Sequence, residues 1–143
     1  MTATRSTQEE KRYKRYLKHH DGICPFCESA SQTPALIEES TNFLVVKNSF
    51  PYSIWDGQSV KEHLMVVPRK HTDSLAGLSL QQSKEYLDIL RKYEESGYNI
   101  YTRSLISTTR SITHHHTHLI KTNHKTHKLL ILARWPFYIR GSL

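Results

Sequence analysis

Long apolar runs are missing from this 143-residue chain. None approaches the ~18–20 residues that a helix needs to span a bilayer, so no transmembrane helix is expected. The opening residues, MTATRSTQEEKRYKRYLKHH, are polar and carry both signs of charge, where a secretory leader needs an apolar segment. A cytoplasmic protein with no membrane partner is the expectation. No internal repeat is found, and the length suits one domain better than two. Cysteine is scarce: only Cys24 and Cys27 occur. Acidic residues are outnumbered, 13 against 20 basic ones, leaving a net charge of +7 and a pI near 9.5. That balance points to an anionic partner, with nucleic acid, nucleotide phosphates and an anionic membrane surface all within the class.

What is present is unevenly placed. Hydrophobic residues make up 37% of the chain, enough for a modest core. Basic residues gather in KRYKRYLKHH (11–20) and KTNHKTHK (121–128), and the plain reading of each is a solvated face. The cysteines form Cys24-Pro25-Phe26-Cys27. In a chain expected in the cytoplasm such a pair binds metal or does redox chemistry more often than it forms a structural disulfide. Taken alone, it is half of a zinc site.

Along the chain, a short basic helix precedes a break at Asp21-Gly22 and the C-x-x-C loop. ALIEESTNFLVVKNS (35–49) reads as a hairpin, PYSIWDGQS (51–59) as a loop, and HLMVVP (63–68) as a buried strand stopped by Pro68. The clearest helix covers 79–97, with Ser79 and Gln82 at capping-box spacing and Gly97 placed to end it. Leu80, Leu87 and Leu90 trace its apolar rows, and Tyr86, Ile89 and Tyr93 widen that face as packing residues. YNIYTRSLI (98–106), the histidine run and KLLILARW (128–135) are strand-like. One long helix, a short N-terminal helix and about five strands at hairpin spacing predict an α+β fold with an antiparallel sheet.

SITHHHTHLI (111–120) holds four of the ten histidines. On a strand over 113–120, alternation puts His114, His116 and His118 on one face, roughly 6.5–7 Å apart, with His115, Thr117 and Leu119 on the other. Two chemical uses fit. A histidine can complete a Cys2His2 metal set with Cys24 and Cys27. A neutral imidazole can also act on a phosphate as nucleophile or general base. One nitrogen cannot do both, and a polar, exposed edge strand is the bland alternative.

The pattern His114-x-His116-x-His118-Leu119-Ile120 resembles the histidine-triad (HIT) signature. Cys24-x-x-Cys27 is similar to the zinc-bearing, Hint-like branch of that family, FLVVKNSFPY (43–52) to its second strand and following loop, and EHLMVVPRKH (62–71) to its G-H-x-L-V-I-P-K-x-H block. Ser111 stands three residues before the triad, and Trp135-Pro136 near the C-terminus matches some members. The resemblance covers roughly residues 22–136, so residues 1–21 are expected to be a basic extension and 22–143 the HIT domain.

The resemblance implies a HIT-like fold, usually homodimeric, acting on a nucleotide substrate through a nucleotidyl-histidine intermediate. It implies His116 as nucleophile, His118 and Ser111 at the phosphate and leaving-group side, and His63 lining the site. Asn48 would bind the ribose. Cys24, Cys27, His71 and His114 would hold a structural zinc. The leaving group would be an amine, a phosphate or a second nucleotide, and either hydrolysis or nucleotidyl transfer is open.

Several positions depart from the family pattern. His115 and Thr117 are polar where most relatives are apolar, and Glu62 replaces a glycine. TRSLISTTRSITH (102–114) lacks the glycines usual before the triad. Arg103 and Arg110 stand in that stretch, as phosphate-binding candidates or as solvated cations. Trp55 is expected to be partly buried, His19 and His20 to face solvent, and His124 and His127 to lie in a hairpin loop. The competing reading is a non-enzymatic, zinc-stapled basic domain that binds nucleic acid or a protein partner through residues 11–20. An enzyme acting on adenylated or capped nucleic-acid ends is a further rival, although such relatives usually carry extra domains.

Overall fold

A computed structural model describes residues 5–19, 22, 24–28, 36–126, 129–132 and 138–141. His20, Asp21, His127, Trp135 and Pro136 lie outside the described residues. Helix α1 (Thr7–His19) carries Glu9 and Glu10 in its first turn and Lys18 and His19 in its last, charges that suit the helix dipole at both ends. His19 is exposed. A short turn of helix, α2 (Pro25–Glu28), forms inside the cysteine loop.

Strands β1 (Leu36–Glu39) and β2 (Phe43–Lys47) make the expected hairpin. The segment expected to be a loop contains a second one. There β3 (Ile54–Trp55) pairs with the start of β4 (Gln58–Pro68), and Trp55 is half-buried as expected. Asp56 (φ 48°) and Gly57 (φ 77°) turn this hairpin with two consecutive left-handed residues, the pattern of a two-residue type I′ turn.

Helix α3 (Leu80–Glu95) begins at Ser79, whose hydroxyl accepts from the Gln82 amide while the Gln82 side chain accepts from the Ser79 amide. Gly97 (φ 83°) follows its end. The apolar face differs from the expectation in part. Tyr86, Ile89 and Tyr93 are buried with Leu90 packed beside them, but Leu80 and Leu87 are 89% and 57% exposed. The row i, i+3, i+4, i+7 starting at Tyr86 faces the sheet, and Leu87 lies about 100° round from it.

Strand β5 (Asn99–Thr102) is shorter than expected, and β6 (Thr117–Thr126) starts later. His114–His116 precede the ladder because the His115 amide donates to the Thr72 carbonyl at 2.6 Å rather than to a neighbouring strand. His124 (φ 59°), expected in a loop, is exposed within β6. The main sheet is antiparallel in the order β1-β2-β4-β6-β5, with β3 on β4. Among the described residues, strands β7 (Leu129–Leu132) and β8 (Tyr138–Gly141) pair with each other and not with the main sheet, which the strand-like reading of 128–135 did not anticipate.

The sheet separates two environments. Phe43, Val45, Leu64, Val66 and Leu119 pack under α3, and Val46, Met65 and Val67 pack with Phe26 on the other side. β2 and the end of β4 are buried on both faces, which explains why both read as continuous apolar runs. Register pairs Met65 with His118 and Val66 with Thr117. Alternation then sends His118 away from α3 and Thr117 towards it. Among the described residues no helix is long and apolar enough to cross a membrane.

Candidate functional site

The histidine run divides as its alternation suggests. His115 turns towards α3, where its ring meets Tyr86 edge-on at 6.4 Å and its Nε2 lies 3.3 Å from the Thr117 hydroxyl. His114, His116 and His118 face the other side.

His114 sits in a cluster. Its Nδ1 lies 3.4 Å from Cys24 Sγ and 3.6 Å from Cys27 Sγ, and Cys27 Sγ lies 3.3 Å from His71 Nδ1. The four donor atoms lie within 4.8 Å of one another, close enough to hold a metal ion. Ligands at zinc distances, roughly 2.0–2.3 Å from the ion in a tetrahedron, stand about 3.3–3.8 Å apart. The Cys24–His114, Cys27–His114 and Cys27–His71 separations fall in that range, and the remaining pairs lie within 4.8 Å. The outer shell fits as well: His114 Nε2 lies 3.0 Å from the Pro68 carbonyl, so Nε2–H donates there and Nδ1 keeps its lone pair inward. Burial lowers the His114 pKa to about 4, which leaves it in the neutral, ligating form. Burial, and then the adjacent Cys24, push the Cys27 thiol up, an effect that a cation between them would reverse.

His116 is held by one bond. Its Nδ1 lies 2.9 Å from the His114 carbonyl oxygen, which can only accept, so Nδ1 carries the proton and Nε2 the free lone pair. Burial lowers its pKa, and Arg110 and Arg103 lower it further against that hydrogen bond. Phe26, from the cysteine loop, packs on both His116 (5.3 Å between centroids) and His114 (5.6 Å).

His118 is oriented by a chain of donors. The Tyr52 amide donates to His63 Nδ1 at 3.0 Å, which puts the His63 proton on Nε2. His63 Nε2 then donates to His118 Nδ1 at 2.9 Å. This leaves the His118 proton on its own Nε2. Burial drives His63 down to about 3 and His118 well below the usual histidine range, so both stay uncharged.

His116, His118 and Ser111 line one cavity of about 300 Å³, together with Tyr52 and Arg103. Arg103 Nη2 donates to the Tyr52 hydroxyl at 3.3 Å, and its guanidinium lies 5.3 Å from the centroid of the Tyr101 ring. The other sequence candidates fall elsewhere. Arg110 donates to the carbonyls of Ile112, Asp73 and Thr113, so it clamps the backbone before the triad and does not line the cavity. Asn48 is buried: its amide nitrogen stands 3.4 Å from His63 Nδ1, and its Oδ1 accepts from the Phe50 amide at 2.8 Å. It lines a smaller, aromatic hollow beside the cavity with Tyr13, Tyr16, Phe26 and Phe50.

Sequence reasoning missed that α1 closes the cavity. Arg5, just before the helix, donates to the Phe50 carbonyl at 3.0 Å, and Tyr16 packs on the Phe50 ring at 4.8 Å. The Tyr13 hydroxyl is hydrogen-bonded to Ser111. Only the polar-aromatic spacing of Tyr13 and Tyr16 hinted at such a face.

No protein-family sequence model matches the chain, and no curated protein matches it by sequence. Solved structures do match. A HIT family hydrolase from Clostridium thermocellum aligns with a TM-score of 0.56 at 18% identity, over 76% of this chain and 98% of that one. A HIT family hydrolase from Legionella pneumophila gives 0.53 at 20%, over 79% and 97%. A hypothetical histidine triad nucleotide-binding protein from Sulfolobus tokodaii gives 0.57 at 20%, over 71% and 70%. The fold is therefore HIT-like.

Proposed function

We propose that the chain is a HIT-type nucleotide hydrolase or nucleotidyltransferase that works through a covalent nucleotidyl-histidine. The observation that carries the reading is the bond from His116 Nδ1 to the His114 carbonyl, because it leaves Nε2 unprotonated on the residue that lines the cavity. A neutral imidazole is a competent nucleophile near pH 7. His116 Nε2 attacks the α-phosphorus; the Nε2–P bond forms as the bond to the leaving group breaks, and the electron pair departs with that group. An amine leaving group also takes up a proton, whereas a phosphate leaves as the anion. Water then attacks the same phosphorus, loses its proton, and releases the nucleoside monophosphate and free His116; in a transferase another acceptor takes the place of water.

His118 Nε2–H and the Ser111 hydroxyl donate to the phosphoryl oxygens, where charge builds up. Asn48 is proposed to bind the ribose; the aromatic hollow that it lines, about 70 Å³, is too small to take the base as well. Zinc is the metal proposed for Cys24, Cys27, His71 and His114, as a structural ion. Four protein donors leave no open position, so the ion supplies rigidity to the start of the triad. A homodimer belongs to the same reading; β5 is a sheet edge with Ile100 exposed.

Mass spectrometry of the protein quenched during turnover of a nucleoside phosphoramidate or dinucleoside polyphosphate should find a nucleoside monophosphate adduct on His116. His116→Ala should abolish both adduct and turnover. Turnover at the wild-type rate by His116→Ala would refute the mechanism.

A further inference from the structure

The cavity around His116 has a wall that the triad does not supply. Arg5, Glu10, Tyr13, Lys14 and Leu17, from α1 and the residues leading into it, line it together with His116, His118 and Ser111, and Tyr13 meets Ser111 directly. Burial keeps His118 and its partner His63 neutral, so neither adds positive charge here. The charge comes from three cations, Arg5, Lys14 and Arg103, set against the single carboxylate of Glu10.

Arg5 is placed rather than merely nearby. Its side chain is 13% exposed, its Nε donates to the Phe50 carbonyl, and its guanidinium lies over the rings of Tyr13 (4.2 Å) and Tyr52 (4.9 Å). Glu10 lies between the two α1-side cations, 3.5 Å from Arg5 Nη1 and 3.9 Å from Lys14 Nζ. Both pairs are long and share a partly exposed carboxylate, so each is weak, and a multiply charged phosphate chain is a better partner for both cations than one carboxylate.

We propose that α1 is a specificity element, in which Arg5 and Lys14 receive the negative charge of the leaving group. The site then favours nucleotide conjugates that leave as a phosphate chain over those that leave as an uncharged amine. This rests on the nucleotidyl-transfer reading for its direction: in-line attack by His116 sends the leaving group to the far side of the phosphorus, and the proposal takes the cations of α1 to receive it there. The chemistry of the wall agrees: it offers cations to a departing anion, whereas a departing amine needs a proton donor. Tyr13 is a positioning residue here. If its hydroxyl donates to Ser111 Oγ, the Ser111 proton stays available to substrate.

The test is calorimetric binding of adenosine 5′-monophosphate and 5′-triphosphate to the full chain. Arg5→Gln and Lys14→Ala should each weaken triphosphate binding about tenfold, the worth of one charge-assisted contact, and leave the monophosphate within about twofold. Glu10→Gln should tighten triphosphate binding severalfold, an effect that a purely structural role for α1 would not produce. Lys14 is largely exposed, so its variant and Glu10→Gln decide the matter even if Arg5→Gln unfolds. Triphosphate affinity unchanged in Lys14→Ala, or equal losses for both nucleotides, would overturn the proposal. Failure of the catalytic reading shows separately, as turnover that survives His116→Ala while these affinities still respond.

Discussion

The hydroxyls of Tyr86 and Thr117 lie 2.7 Å apart, joining the middle of α3 to the first residue of the triad strand. Both side chains are buried, and the Thr117 hydroxyl also serves His115 Nε2. Three polar groups thus satisfy one another where an apolar packing would otherwise be expected. Tyr86→Phe removes one partner without changing shape, so it should destabilise the fold by about 1–2 kcal/mol. Urea unfolding measures the loss; turnover should be kept, since this network faces away from the cavity.

Acid should act through His63. Its folded pKa of about 3 lies below the ordinary value of 6.5, chiefly through burial. Above pH 6.5 neither folded nor unfolded chain binds this proton, and its contribution to stability is complete. Between pH 6.5 and about 3 the unfolded chain takes the proton and the folded chain does not, so stability falls on acidification by about 1.4 kcal/mol per pH unit. Unfolding free energies measured across this window should fall less steeply in His63→Gln, by about one proton. Equal slopes would mean that His63 is protonated in the folded protein.

Metal removal should loosen the start of the triad. The protein purified without chelator is expected to hold about one zinc per chain by elemental analysis. Cys24→Ser or His71→Ala should lose it, and chelation should lower the melting temperature. An ion present at a thousand times its dissociation constant stabilises by about 4 kcal/mol. Metal-free protein with an unchanged melting temperature would count against the site.

The β3–β4 turn offers a conformational test. Asp56 and Gly57 both have positive φ, and nothing lies within 4 Å of a Cβ added at Gly57. Any cost of Gly57→Ala is therefore backbone strain, about 1 kcal/mol, with Gly57→Asn costing less. Thermal melts should rank Gly above Asn above Ala. The effect should reach the cavity rim, because Trp55 packs on Tyr101 at 4.8 Å and on Tyr52 at 6.4 Å.

Features governed by local chemistry were legible in the sequence. Ser79 and Gln82 close the capping box three residues apart, and strand parity parts His115 from its neighbours. Half of the metal cluster was legible in the C-x-x-C spacing, but His71 was legible only through resemblance, because Cys27 and His71 are 44 residues apart in the chain and no periodicity links them. Tertiary direction was not legible. Leu80 and Leu87 fit a helical apolar row yet face outward, since the sheet meets the row that starts at Tyr86. Arg110 could be read as a phosphate ligand or a solvated cation, and neither reading anticipates its guanidinium on three backbone carbonyls. The docking of α1 left little trace because none of its residues is fully buried, and its contacts are made by rims of tyrosine and arginine rather than by an apolar stripe.

His116 stands between two neighbours that are fastened in different ways. On one side, His114 is tied to Pro68 and to the sulfur cluster; on the other, His118 is tied to His63. The residue between them behaves like the middle of a beam supported at both ends. Its own bond runs to the His114 carbonyl, so cutting either support should let the ring wander without touching it. Slow loss of rate on chelation, with His116 chemically intact, would be the sign of a sagging beam rather than a missing tool.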